Sequence, residues 1–269
     1  MKSKYWFWIL LLGGCGTSEI TSTSYQKIIN GEPCSEQLFP ASLELIKVTG
    51  PNYSALCGAT LIAPDVAVTA AHCVDDAKSE DQYFVSSKSN LEGLYDTEFN
   101  TDASQTIAVK AIVSHGGYDG VQGEAPHHDI ALLFLSRKSP LPPALMLTPL
   151  EMDSLSPGLK AYIVGWGQQA IGLKDEVKTP AVKYYATTFL NKVKPYEMQL
   201  GSGKHSPHKC FGDSGGASYI QLESGLRFAG ITSHGRHDDS VCKHGGFDTR
   251  VDVYYDWIQR VIANKSKSL

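Results

Sequence analysis

At 269 residues the chain is long enough for one large domain or two small ones, and an apolar content of 42% is ordinary for a globular protein. Its formal charge of −4, with no cluster of Lys and Arg, argues against nucleic acid as an obligate partner, because neutralising phosphates takes a basic face. The six cysteines contain no C-x-x-C pair, which disfavours a cysteine metal site.

The N-terminus reads as a targeting segment rather than fold. Lys2 and Lys4 precede the apolar run Tyr5–Leu12, which is too short to span a bilayer. Residues 1–14 are therefore predicted to be a signal peptide. Leu12-Gly13-Gly14-Cys15 follows at once and resembles a bacterial lipobox, in which the Cys carries the lipid and becomes the first mature residue. The alternative is an ordinary secretory signal with a chance Cys. Either reading exports the chain. Residues 15–27 are polar and Ser/Thr-rich, as expected of a tether.

From Ile28 onward, short apolar runs alternate with Gly, Pro, Asn and Asp clusters. Ser42–Ile46, Ala59–Ile62, Ile130–Leu135, Ala161–Val164 and Phe228–Ile231 are predicted strands of a sandwich or a barrel, and periodicity does not choose between the two. One helix is expected near the end. Asp252 would cap it, and Val253, Trp257, Ile258, Val261 and Ile262 recur at helical spacing.

Three short motifs carry chemistry, in the order His, Asp, Ser. They are Thr69-Ala70-Ala71-His72-Cys73, His128-Asp129-Ile130-Ala131-Leu132-Leu133 and Cys210-Phe211-Gly212-Asp213-Ser214-Gly215-Gly216. A serine hydroxyl is a weak nucleophile until a base takes its proton. His72 would be that base for Ser214, since imidazole titrates near the working pH. Asp129 would hold the imidazole in the useful tautomer. A Ser in a Gly-rich turn means little alone, and the three contexts together point to acyl transfer.

With Lys27 before Ile28-Ile29-Asn30-Gly31, and with Gly165-Trp166-Gly167 and Ser233-His234-Gly235, the motifs resemble those of trypsin/chymotrypsin-type serine proteases. The resemblance runs from Ile28 to Asn264. It implies an all-β fold of two six-stranded antiparallel barrels packed together, with the active site between them and a C-terminal helix, over a protease domain of residues 28–269. It implies protein or peptide substrates, no cofactor and no metal, and a monomer. The backbone N–H groups of Gly212 and Ser214 would form the oxyanion hole. Ser233 would hydrogen-bond Asp129, and Gly235 would pair with substrate main chain. Cleavage after Lys27 by an activating protease would free the Ile28 amine to pair with buried Asp213, so the chain reads as a zymogen. Cys57–Cys73 and Cys210–Cys242 would be disulfides. If Cys15 carries lipid, Cys34 is a lone thiol, and activation would also release the domain from a membrane. If it does not, Cys15 and Cys34 could pair and keep the pieces joined.

The substrate pocket departs from the family pattern. His208 stands where trypsin-like members carry an aspartate, with Lys209 next to it. Asp248 replaces a tyrosine, and His234 a tryptophan. Asp248 could recognise a basic side chain, and basic P1 residues are the expected preference. Equally, Lys209 or His208 could neutralise it. The family's calcium loop is not recognisable in residues 90–100. His127 and His128, with His234, His237 and His244, invite a metal reading, but neighbours on a strand point oppositely, and no metal is expected. A catalytically silent binding or adhesion protein on the same scaffold is the alternative function. Silent relatives typically lose a triad member, and this chain keeps all three.

Overall fold

The structure is a computed structural model and describes residues 28–50, 52–91, 104–120, 126–167, 182–202, 206–235 and 245–265. The expected signal peptide, the tether with Cys15 and Lys27, most of the 90–100 segment, His237, Cys242 and His244 lie outside the described residues.

Six antiparallel strands close the first barrel. They are β2 (Ser42–Thr49), β3 (Asn52–Ala63), β4 (Val66–Thr69), β5 (Asp81–Ser86), β6 (Ile107–Ser114) and β7 (Ala131–Leu135), in the order β2-β3-β4-β7-β6-β5. The second barrel uses β8 (Lys160–Gly165), β9 (Tyr184–Val193), β10 (Glu197–Leu200), β11 (Ala217–Leu222), β12 (Gly225–Gly235) and β13 (Gly246–Arg250). Its order is β9-β10-β13-β12-β11-β8, and β8 pairs back onto β9 to close it. The two-residue strand β1 (Glu32–Pro33) adds to β9 from outside. Closure removes the exposed edges that an open sheet of short strands would present. All five apolar runs read from the sequence fall in these strands, save that Ile130 stands just ahead of β7.

Burial explains why the runs look as they do. In β9, Ala186, Thr188 and Leu190 point inward while Thr187 and Phe189 face out, the period-2 pattern of a strand covered on one side. In β7 every residue of Ala131-Leu132-Leu133-Phe134-Leu135 is buried, so the run is continuously apolar, as in a strand covered on both faces. One core joins Leu43, Leu61, Val68 and Leu132 of the first barrel to Tyr219, Phe228 and Ile231 of the second. A second cluster, with Ala161, Leu190, Met198 and Ile220, fills the second barrel.

The chain closes with helix α1 (Val251–Lys265). Trp257, Ile258, Val261 and Ile262 pack on the core as expected. Two expectations fail. Val253 is exposed, and its place facing the core is taken by Tyr254. Asp252 lies inside the first turn rather than before it, and Arg250 takes its carboxylate at 3.2 Å from Nε and 2.5 Å from Nη2. Its charge still suits the positive N-terminal end of the helix.

Candidate active site

His72 sits in a single 3-10 turn (Ala71–Cys73) directly after β4. A disulfide from Cys73 to Cys57 of β3 pins that turn, as the sequence resemblance implied. Asp129 lies just before β7, in a tight turn closed by the Ile130 N–H donating to His128 O at 2.8 Å. The turn presents the carboxylate to His72 twice. The His72 backbone N–H donates to Oδ1 at 2.9 Å, and Nδ1 lies 2.8 Å from Oδ2. A carboxylate only accepts, so Nδ1 carries the hydrogen and Nε2 is left as the basic nitrogen.

The second barrel grips the same aspartate. Ser233 Oγ of β12 donates to Asp129 Oδ2 at 2.6 Å, and Thr249 Oγ1 of β13 donates to Asp129 O at 3.1 Å. Asp129 is fully buried. Burial pushes its carboxyl up, but the His72 hydrogen bond and charge and the Ser233 hydroxyl outweigh that and hold it below the usual carboxylate range.

Ser214 lies on a tight loop between Lys209 and β11. Gly212 and Gly215 adopt φ of 86° and 71°, which side chains rarely tolerate. The loop rests on the first barrel. Gly58 N–H of β3 donates to Ser214 O at 2.7 Å, and a Cβ on Gly215 would collide with Thr69 Oγ1 and Gly58 O. Thr69 in turn donates to Gly58 O at 2.8 Å. Ser214 is thus carried to the His72 turn by backbone contact. Among the described residues its hydroxyl makes no hydrogen bond to His72 Nε2, and such bonds often tighten only with substrate bound.

Asp213 is fully buried, and its carboxylate accepts the Cys210 N–H at 2.8 Å and the Gly167 N–H at 2.9 Å. Ile28 is also fully buried, against Ile163 and Ala186. Gly165 lies between the two, where a Cβ would strike Asp213 Oδ1 and approach Ile28 Cδ1 to 3.3 Å. The Gly165-Trp166-Gly167 motif therefore has a physical reason: neither glycine leaves room for a side chain beside Asp213.

Lys209 and Asp248 form a buried ion pair at 2.9 Å. Lys209 Nζ also donates to Ser218 Oγ at 2.7 Å and to Thr232 Oγ1, so its three N–H bonds are all used. Of the two readings of Asp248, neutralisation is the one the geometry presents, and Lys209 is the partner. His208 is buried elsewhere. Its backbone bridges Ile29, and its Nδ1 contacts Ser206 O at 2.6 Å. Gly235 ends β12 beside His234.

Cys210 is disulfide-bonded, and its partner lies outside the described residues. Among the described residues Cys34 is a buried free thiol. Sequence reading missed Glu197, on which His127 and His234 converge, and Lys183, a wholly buried lysine. No motif marks either residue, because their partners are distant in sequence.

Two closed six-stranded barrels with a His–Asp pair and a Gly-flanked serine at their junction define a chymotrypsin-like serine protease. Residues 28–258 match the family model described as Trypsin, and the chain belongs to that family. It is a serine endopeptidase of the trypsin type, acting on proteins or peptides. Chymotrypsin-like elastase family member 1 of Macaca fascicularis is 27% identical over 96% of this chain and 97% of its own. The Homo sapiens protein of the same name is 27% identical over 95% and 100%. Kallikrein-8 of Homo sapiens is 26% identical over 98% and 96%.

Proposed function

We propose that the endopeptidase works through Ser214, His72 and Asp129, and that it is made as an exported zymogen. The observation that carries the first part is Asp129, held by His72 from one barrel and by Ser233 and Thr249 from the other. In the reaction, Ser214 Oγ attacks the scissile carbonyl and gives its proton to His72 Nε2. The Gly212 and Ser214 N–H groups receive the oxyanion. As the tetrahedral intermediate collapses, the C–N bond breaks, and the leaving amine takes that proton. Water then attacks the acyl-enzyme with His72 again as base, releasing the acid and restoring Ser214. The silent-scaffold alternative has no support from the site, where all three residues are present.

The zymogen part assigns residues 1–14 to a signal peptide, 15–27 to a propeptide tether lipidated at Cys15, and 28–269 to the protease domain. This makes the chain a bacterial-type lipoprotein of the cell envelope, monomeric, until an activating protease cuts after Lys27. Burial of both Ile28 and Asp213, with Gly165 between the two side chains, supports it, since a new amine buried at Ile28 would need a countercharge. Free Cys34 supports release on cleavage, because no disulfide there retains the tether.

Ser214→Ala tests the assignment. Peptide cleavage should fall by roughly four to six powers of ten with thermal unfolding unchanged. Near-wild-type turnover by the purified variant would refute the nucleophile.

A further inference from the structure

Glu197, at the start of β10, is 4% exposed, and its Oε1 faces two imidazoles. His234 Nε2 lies at 3.0 Å and His127 Nε2 at 3.5 Å, and the three donor atoms all fall within 4.8 Å of one another. The two rings stand edge-on, 5.1 Å between centroids and 89° between planes. Ligand atoms held tetrahedrally at 2.0–2.1 Å from zinc are about 3.3 Å apart, so the separations of 3.0 and 3.5 Å bracket what such an ion needs.

The donors do not balance without a cation. His234 Nδ1 lies 2.8 Å from Gly235 O, a pure acceptor, so it carries a hydrogen. Nε2 faces a carboxylate oxygen, also a pure acceptor. A neutral ring has no second hydrogen to give, so a proton or a metal ion must lie between Nε2 and Glu197. An imidazole that gives its other N–H to a backbone carbonyl is the usual setting of a metal-bound histidine. His128 stacks on His115, 4.7 Å between centroids, and takes no part. The expected divergence of His127 and His128 thus frees His127 for a different partner, Glu197.

We propose that His127 Nε2, His234 Nε2 and Glu197 Oε1 form a binding site for a divalent transition-metal ion, zinc by its ligand chemistry, and that the filled site slows the protease. Two imidazoles and one carboxylate suit zinc with water as fourth ligand. The location supplies the coupling. His127 is two residues from Asp129, and His234 sits between Ser233, which bonds Asp129, and Gly235, where substrate main chain is expected. An ion would bridge the Asp129 turn to β12 along the path of the substrate. That consequence rests on the proposed catalytic reading, whereas binding does not. Lys194 Nζ lies 3.3 Å from Glu197 Oε2 and already offsets part of its charge, which weakens the pull of the site on a cation.

Calorimetric titration of the Ser214→Ala protein with zinc, in buffer free of chelators, reads binding without catalysis. A single ion per chain is expected, and cobalt in its place should give the visible absorption of a tetrahedral site. His127→Gln with His234→Gln should weaken binding at least about tenfold. Lys194→Gln should tighten it, a gain that a misfolded protein would not show. Unchanged binding in the double histidine variant, or no gain in Lys194→Gln, would overturn the site. Wild-type cleavage should slow with zinc and recover with EDTA, and His234→Gln should escape the slowing. An ion that binds here and leaves cleavage untouched would overturn the brake. A protein that never cleaves peptide would sink the catalytic reading, while the titration would still judge the site.

Discussion

Lys209 uses all three of its N–H bonds inside the protein, and the charge of Asp248 is already balanced when substrate arrives. A basic P1 side chain would then bring a charge with no partner, and a desolvated charge without a partner is costly. Uncharged P1 residues should be cleaved faster than Lys or Arg by at least about tenfold in an amide-substrate library. Lys209→Ser should swing the preference toward basic P1, because it strips Asp248 of its partner. A wild type that prefers Arg would restore the reading in which Asp248 selects cations. Lys183 makes a separate prediction. It is fully buried, with Nζ donating to Leu38 O at 3.0 Å and Phe39 O at 2.8 Å. Burial lowers its pKa from 10.5 to about 8, against weaker opposing pulls from Cys34 and Glu36. Below pH 8 the folded chain carries the full cost of a buried cation. Between pH 8 and 10.5 the folded chain sheds that proton while the unfolded chain keeps it, so stability rises with pH. Relative to Lys183→Met, denaturant melts should show wild type gaining on the order of 3 kcal/mol across that window. A flat difference would mean the ammonium is not desolvated.

The nucleophile loop is placed by what it rests on. Gly58 of β3 leaves no space above it, since a Cβ there would fall 2.5 Å from Gly216 Cα and 2.8 Å from Gly216 N. Both obstacles are backbone, so the loop itself would have to move. Gly58→Ala should therefore lower kcat by about 100-fold or more, the scale of a 1 Å misplacement, with KM less affected. Steady-state kinetics check this, and full activity would show that the loop has room the packing denies. The strand runs Ala59–Ile62 and Phe228–Ile231 were legible because each barrel face selects apolar residues. The start of α1 was misjudged for an electrostatic reason. Asp252 resembles a cap in sequence, but Arg250 reaches it at a range of two residues and draws it into the first turn.

Across the whole molecule, the two barrels meet over one continuous core, and Ile28 is buried where the second barrel carries Asp213. If cutting after Lys27 creates the Ile28 amine and severs a lipid-bearing tether, activation and release are one event. Membrane fractions from cells should then hold an inactive species, and limited tryptic treatment without reductant should move active, Ile28-starting protein into the soluble fraction. Lys27→Gln should stay bound and inactive. Active protease that remains on membranes, or an active uncut Lys27→Gln protein, would sink the coupling.

The chemistry of the site was written locally, in stretches of five to seven residues around His72, Asp129 and Ser214, because each role needs one residue type on one sharply shaped piece of backbone. Strand positions and the disulfide at Cys57–Cys73 were legible for the same reason, through short patterns and family likeness. The choice among possible polar and charged partners was not. Lys209 meets Asp248, Glu197 meets His127 and His234, and Thr249 meets Asp129 across separations that only the closure of the second barrel and its docking on the first bring together. A sequence displays which charges a chain carries. Whether Asp248 is an open anion or a neutralised one depends on which cation the fold buries beside it, since in a low-dielectric interior the nearest opposite charge decides.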